Sequence, residues 1–156
     1  MSPSIREAHA GDLPAILDMA EIALKEIHPA LPFHREAAWD AIEPGIDEPS
    51  MLILVAEDSE GLCGLLIAYA EYSWFGPGLV ASDWVTYVSP RAKGWLWYRL
   101  LETYTRWAES IGINVINTAN LSGKDDARAV HAIGRLGYQK AGSMVRKIGK
   151  PYQGDF

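Results

Sequence analysis

The sequence predicts an α/β (α+β) fold in which a central mixed, mostly antiparallel sheet is flanked by helices on both faces. Three apolar, β-branched runs at residues 51–58, 62–72 and 79–88 follow one another across short turns, which is typical of an antiparallel meander. A helix, a strand and a second helix come after them, and this order adds a parallel crossover. No repeat or linker interrupts the 156 residues, so we expect one domain over residues 1–156.

Helical spacing dominates the first quarter of the chain. After a short strand at residues 4–9, Asp12 is placed to cap a helix that has Pro14 in its first turn. Residues 33–42 predict a second short helix, with an ordered loop as the alternative. In the first helix, apolar residues recur at intervals of three and four and form one stripe: Leu13, Ile16, Leu17, Ala20, Ala23, Leu24 and Ile27.

The last third of the chain shows alternating helix and strand patterns. Residues 95–111 are amphipathic, and Gly112 lies just beyond them, where a helix is expected to end. We then expect a strand over residues 113–121 and a helix over residues 124–136. One or two closing strands are predicted over residues 138–148.

Composition and charge exclude several classes of function. The chain is 49% hydrophobic and 22% charged, as in globular domains. A formal net charge of −6 repels phosphate backbones and anionic membranes, so we expect no nucleic-acid or membrane partner. The single cysteine, Cys63, and the four scattered histidines show no ligand spacing, so we predict no disulfide and no metal. The N-terminus has no secretory signal pattern, which predicts a cytoplasmic protein.

The loop after the third apolar run holds the most informative motif. Residues 87–94 read Y-V-S-P-R-A-K-G and lead into a helix that carries Leu100 and Leu101. Basic side chains on a loop entering a helix suit a phosphate ligand, because helix N-terminal amides and the helix dipole also favour anions. With the I-R-E-A opening at residues 5–8 and the helical segment at residues 126–138, this motif resembles the GCN5-related N-acetyltransferase (GNAT) family.

The resemblance implies acetyl-CoA as a cosubstrate and assigns residues to it. The backbone of Val85, Tyr87 and Val88 would pair with the pantetheine arm. Asp126 aligns with an asparagine usual in the family's second motif. The pyrophosphate would lie against the loop and first helical turn, which comprise Arg91, Lys93, Gly94, Trp95, Leu96 and Trp97. The alternative for the two basic residues is that they are solvated charges beside a turn.

The implied reaction moves an acetyl group from coenzyme A to a primary amine, on a small molecule or a protein, by direct attack on the thioester. The amine must lose a proton before it can attack, so a general base is needed. Asp83, on the strand expected to bind the cofactor, is one candidate base, and Glu71, at the end of the preceding strand, is its rival. Each is alternatively an ordinary solvent-facing carboxylate.

Two departures from the family pattern support an alternative function. Trp95 or Trp97 stands where the family's loop has a second small residue, and Ile133 stands where it usually has a tyrosine that acts as the acid. By residue type, candidates for the missing acid are His131, Tyr87, Tyr98 and Tyr138. Helical spacing turns His131 about 200° away from Ile133, and Tyr138 is alternatively a packing residue in place of the family's phenylalanine. The alternative is a catalytically impaired GNAT-fold protein that binds or inhibits a partner through protein contacts.

Aromatic residues are frequent beside the predicted site. The segment at residues 71–75, E-Y-S-W-F, is expected either to line the acceptor pocket or to form a self-association surface. The second interpretation predicts a homodimer. The sequence leaves the identity of the acceptor open.

Overall fold

Five strands form one sheet in the computed structural model, which describes residues 2–92, 95–119, 126–142 and 144–155. Short 3-10 turns lie at Ala10–Asp12 and Glu43–Ile46. The strands and α-helices, in chain order, are β1 (Ser4–Glu7), α1 (Leu13–Ile27), α2 (Arg35–Ile42), β2 (Met51–Asp58), β3 (Gly61–Tyr72), β4 (Leu79–Val88), α3 (Leu96–Ser110), β5 (Val115–Ile116) and α4 (Asp126–Gly134).

The sheet is mixed and mostly antiparallel, as predicted. Its strands lie in chain order, and each of the pairs from β1 to β4 is antiparallel. α3 then carries the chain back across the sheet, so that β5 lies parallel to β4. The two parallel strands are therefore at one edge of the sheet, beside the end of the meander.

Helices cover both faces of the sheet, each over its own apolar cluster. We call the face covered by α1 and α2 the α1 face, and the opposite face the α3 face. On the α1 face, the sheet contributes Ile53, Val55, Leu65, Ile67 and Val85. On the α3 face, the sheet contributes Leu52, Leu54, Ala56, Leu66, Ala68 and Ala81, against Leu96, Leu100, Leu101, Tyr104 and Ala108 of the helix.

A β-bulge changes which way the side chains of β4 point. Ile67 of β3 pairs with Val85, whereas the next residue, Ala68, pairs with Asp83, so Trp84 is an extra residue in β4. Asp83 shares the α3 face with its partner Ala68, and Val85 shares the α1 face with Ile67. Regular alternation would have put Asp83 and Val85 on the same face.

The predicted helices of the first half are confirmed, and one predicted cap is corrected. α2 is a helix rather than an ordered loop. Asp12 lies at the N-cap position of α1 but makes no side-chain capping bond there. Its carboxylate instead accepts from Arg6, at 2.7 and 3.0 Å, and from the backbone amide of His9 at 2.9 Å. Because Asp12 binds a neighbouring strand, it fixes the entry to α1 through tertiary contacts.

The prediction of closing strands at residues 138–148 is wrong for the part of this segment that the structure describes. Residues 138–142 and 144–148 form no strand, and β5 is only two residues long. The apolar side chains of this segment have no face of the fold to pack against, because Met144, Val145 and Ile148 are all exposed, Val145 at 92%. Strands without a buried face are weakly stabilised, and the Gly, Lys and Arg residues here do not favour them.

Candidate active site

A gap opens beside β4 where β5 ends. β5 pairs only with Val80 and Ala81, and the last backbone bond between the two segments runs from the Asn117 amide to the Ala81 carbonyl at 2.8 Å. Beyond it, the described residues place no strand beside residues 82–88 on that side. Ligands of α/β sheets bind at the carboxyl ends of such parallel strands, where the chain leaves an open crevice.

A cavity of about 470 Å³ lies at this end of β5, on the side of α3 and α4. It is large enough for part of an extended ligand. Its lining combines the first turn of α3, the chain after β5, one side of α4 and the segment that follows α4: Trp97, Ile116, Asn117, Thr118, Ala119, Ala129, Val130, Ile133, Tyr138, Gln139, Lys140, Ala141, Gly142 and Met144.

Asp83 links β4 to the cavity wall. Its carboxylate accepts from the Thr86 hydroxyl at 3.0 Å and from the Thr118 hydroxyl at 3.3 Å, and Thr118 lines the cavity. Burial raises the pKa of Asp83 above its ordinary value, although the hydroxyl bonds partly oppose that shift. A partly buried carboxylate with a raised pKa at the edge of a crevice is suited to accept a proton.

Two phenols, one buried and one half-buried, lie near this carboxylate. Tyr104 is fully buried, and its hydroxyl donates to the Asn117 carbonyl at 2.9 Å. The Tyr138 hydroxyl lies 2.8 Å from that of Thr105, which itself donates to the Leu101 carbonyl at 2.7 Å. Tyr138 is therefore the donor in its pair with Thr105. Burial raises the pKa of both phenols, so both stay protonated near neutral pH.

Tyr138 enters the cavity because the chain turns sharply after α4. Gly137 has a φ of 91°, a conformation that favours glycine, and the Tyr138 amide donates back to the Ile133 carbonyl at 3.4 Å. Tyr138 and Ile133 consequently line the same cavity. Of the candidate acids named by residue type, Tyr138 is thus the one beside Ile133.

Glu71 is not brought together with Asp83. It lies near the end of β3, is exposed, and pairs across the strands with Val80. Ala70 and Ala81, the next pair, point to the α3 face, so Glu71 lies on the α1 face. The two candidate bases are therefore on opposite faces of the sheet.

Several solved acetyltransferase structures share this arrangement of strands and helices. Glucosamine-6-phosphate N-acetyltransferase from Arabidopsis thaliana superposes with a TM-score of 0.71 at 11% identity, over 96% of this chain and 100% of that chain. AAC(6')-Iy in complex with the bisubstrate analogue CoA-S-monomethyl-acetylneamine gives 0.69 at 13%, over 96% and 99%. A GNAT family acetyltransferase from Staphylococcus aureus gives 0.65 at 13%, over 95% and 99%.

The chain has the GNAT fold. These structures confirm the resemblance seen in the sequence for the fold alone, because sequence identities of 11–13% do not establish a shared function. No family model matches the sequence, and no curated protein matches it.

In this GNAT fold, the side chains of the predicted cofactor strand are used for packing. Val85 is buried in the α1-face cluster and Tyr87 packs against it, whereas Val88 packs on the α3 face. These three residues therefore leave their backbone, and not their side chains, to face the gap. A strand edge without a neighbour can pair with the amide groups of an extended pantetheine arm, so the edge fits that part of coenzyme A.

Arg91 is already engaged by the β2–β3 turn. Its guanidinium forms ion pairs with Asp58 and with Glu60, the latter at 3.3 Å, and donates to the carbonyls of Gly61 and Leu62 at 3.3 Å. The Arg91 hydrogen bond lowers the pKa of Asp58, which keeps that carboxylate ionised. The role of Arg91 in phosphate binding therefore stays a prediction, and this ion pair competes with it.

The first residues of α3 have no side-chain cap from the N-cap residue. Trp95, at the N-cap position, makes no side-chain capping bond and is 60% exposed, with its ring edge-on to Tyr98 at 5.6 Å. Leu96, the first residue of α3, is buried between the helix and the sheet, so only its backbone amide is left for a ligand. Trp97 lines the cavity. The first-turn amides fit an anionic group. Lys93 and Gly94 lie outside the described residues, as does the Asp126 side chain.

Among the described residues, no group of three His, Cys, Asp or Glu side chains is arranged to hold a metal ion. In the same part of the chain, none of the helices combines the length and apolar character needed to cross a membrane.

Sequence reasoning missed Thr118, Thr86 and Tyr104. The signal available for Tyr104 was its position in the apolar stripe of α3, between Leu101 and Ala108, because the hydroxyl of a buried tyrosine needs a hydrogen-bond partner. Nothing in the sequence pairs Thr118 with Asp83, because their contact depends on where β5 stops running beside β4.

Proposed function

We propose that the chain is an acetyltransferase that moves an acetyl group from coenzyme A to a primary amine, with Asp83 as the general base. The position of Asp83 carries the proposal: it lies beside the gap next to β4, bonded to a residue of the cavity wall. The fold neighbours add support, because several of them are named N-acetyltransferases, one of these bound to a coenzyme A analogue, while another neighbour is named a transcriptional regulator.

Acetyl-CoA would supply the thioester: the amine nitrogen bonds to its carbonyl carbon, the carbon–sulfur bond breaks, and coenzyme A leaves as a thiolate that takes up a proton from solvent. Asp83 accepts a proton from the ammonium form of the acceptor, so that a nitrogen lone pair becomes available. Thr86 and Thr118 hold the carboxylate in place, and its raised pKa makes it a better base than an exposed aspartate. The free backbone edge of residues 82–88 orients the arm of the cosubstrate and provides amide donors near the thioester oxygen.

The test is a pair of measurements on the full chain and on Asp83→Asn. Acetyl-CoA binding is measured by calorimetry, and turnover is measured as coenzyme A thiol released in the presence of a panel of amines. We expect Asp83→Asn to bind acetyl-CoA normally and to lose at least about a hundredfold in kcat, as removal of a general base does. Asp40→Asn, an exposed carboxylate of α2, is the matched control and should keep full activity.

Unchanged kcat in Asp83→Asn would overturn the role of Asp83. No detectable acetyl-CoA binding by the unmodified chain would overturn the enzyme proposal itself.

A second candidate is a GNAT-fold binding or inhibitory protein without catalysis. Two observations favour it: Arg91 is occupied by carboxylates, and the β3–β4 turn exposes Tyr72, Trp74 and Phe75, with Trp74 at 93%. The rings of Trp74 and Phe75 contact edge-on at 5.4 Å. This candidate predicts self-association or partner binding that Trp74→Ser abolishes, together with the absence of turnover on every amine.

A further inference from the structure

The middle of the chain has an unusual charge pattern. Residues 36–90 contain ten Asp and Glu residues and no Lys or Arg. Within the described residues, arginines pair with only three of these carboxylates, Glu57, Asp58 and Glu60. The others, including Glu71, pair with no cation there. A region with uncompensated negative charge attracts cationic ligands at long range and raises their local concentration.

An aromatic pair lies on the α1 face inside this acidic region. The rings of Tyr69 and Trp84 are 5.4 Å apart and tilted by 46°. Trp84 is 43% exposed because the bulge takes it out of the regular pairing with β3. Glu71 lies two residues beyond Tyr69 on β3, so it shares that face at about 7 Å along the strand.

We infer that Tyr69, Trp84 and Glu71 form a recognition site for an ammonium group. Aromatic ring faces attract cations, and the charge of Glu71, which lies beyond Tyr69 on the same face, adds electrostatic attraction. The same charge disfavours an anionic ligand, and no cationic side chain among the described residues stacks on either ring.

The site lies next to the proposed catalytic group. Trp84 follows Asp83 in sequence but faces the opposite side of the sheet, and the gap beside β4 joins the two sides. A short acceptor with two ammonium groups can therefore rest one of them on Trp84 while the other reaches Asp83 through the gap. This inference rests on the proposed function and narrows its acceptor to an aliphatic diamine or polyamine.

Calorimetric titration with spermidine tests the inference without acetyl-CoA or turnover. Butylamine, with one ammonium group, is the matched ligand. We expect spermidine to bind more tightly than butylamine, and we expect added salt to weaken spermidine binding. Trp84→Leu should weaken spermidine binding about fivefold and Glu71→Gln about threefold, whereas Trp84→Phe should retain most of it. Trp74→Leu, which alters an aromatic residue outside the site, should bind like the unmodified chain.

The inference is overturned if the unmodified chain does not bind spermidine, if Trp84→Leu binds it normally, or if Trp74→Leu weakens it as much. Binding of a lysine-containing peptide in preference to spermidine would also overturn it, because the acceptor would then be a protein amine. Thermal unfolding of each variant checks that it folds. Loss of turnover with spermidine binding intact would count against the proposed function and leave this site standing.

Discussion

Gly64 offers a sharp test of how closely α3 rests on the sheet. It lies on β3 between Ala56 of β2 and Val88 of β4, under the first turns of α3. A Cβ atom added at this position would lie 3.0 Å from the Ala56 Cβ, 3.3 Å from Leu96 Cδ2 and 3.4 Å from Leu100 Cδ1. Non-bonded carbon atoms prefer separations of about 3.5–4.0 Å. Gly64→Ala therefore pushes against the helix start that also borders the cavity.

The magnitude follows from two opposing effects. Overpacking a well-filled core costs about 1–3 kcal/mol. Replacing glycine reduces the freedom of the unfolded chain and returns about 0.4–1 kcal/mol. We expect a net loss of about 1–2 kcal/mol in the free energy of unfolding, which lowers Tm by roughly 2–8 °C for a chain of this size.

Thermal unfolding followed by circular dichroism measures the effect of Gly64→Ala. Gly76→Ala is the control, because an added Cβ there meets no atom within 4 Å, and it should leave Tm unchanged or slightly higher. Acetyl-CoA binding should weaken in Gly64→Ala and stay normal in the control, since only the first variant displaces the start of α3. A Tm for Gly64→Ala equal to or above that of the unmodified chain would refute the close contact between α3 and the sheet.

Three further predictions concern the site. Tyr104→Phe removes a buried hydrogen bond and should lower the free energy of unfolding, measured by chemical denaturation, by about 1–2 kcal/mol. Tyr72→Phe, at an exposed position, should leave that free energy unchanged. Equal stability of the two variants would contradict the hydrogen bond of Tyr104. Asp58→Asn releases Arg91 from one carboxylate and should tighten acetyl-CoA binding about twofold to fivefold by calorimetry; weaker binding would show that the ion pair positions the loop. Because burial raises the pKa of Asp83, the folded state holds that proton more tightly than the unfolded chain. Asp83→Asn should thus gain stability relative to the unmodified chain as pH rises above about 4, and the difference should level off once pH passes the raised pKa; a difference that does not change with pH would argue against the raised pKa.

The fold was predictable because its longest strands and helices have local sequence patterns that are typical of their secondary structure. β2 and β4 are runs that combine apolar and β-branched residues and are bounded by turn residues, and the predicted bounds of both are those that the structure has. Gly112, with a φ of 77°, ends the α3 region as expected. The end of the chain differs from the prediction because a short apolar run has the pattern of a strand whether or not it pairs. Whether such runs pair depends on a buried face that residues 144–148 do not have.

The candidate site was only partly predictable. Asp83 could be selected as a carboxylate on the expected cofactor strand, but its face could not, because a bulge leaves little trace in sequence. Arg91 matched a phosphate-binding pattern, yet its partners come from a turn thirty residues earlier. Thr118 reaches Asp83 only because β5 ends where it does. Pairings between distant segments follow from the assembled sheet, and no local pattern encodes them.

The bulge at Trp84 also bears on chain length during evolution. A residue lost from the middle of a strand normally turns every later side chain to the other face, whereas the loss of residue 84 would only restore simple alternation, because Asp83 and Val85 already lie on opposite faces. Val85 and Tyr87 would stay in the α1-face cluster, and Thr86 would stay on the same face as Asp83. Descendants of this gene can therefore lose position 84, and with it the exposed indole ring, without inverting the carboxyl-terminal half of the strand.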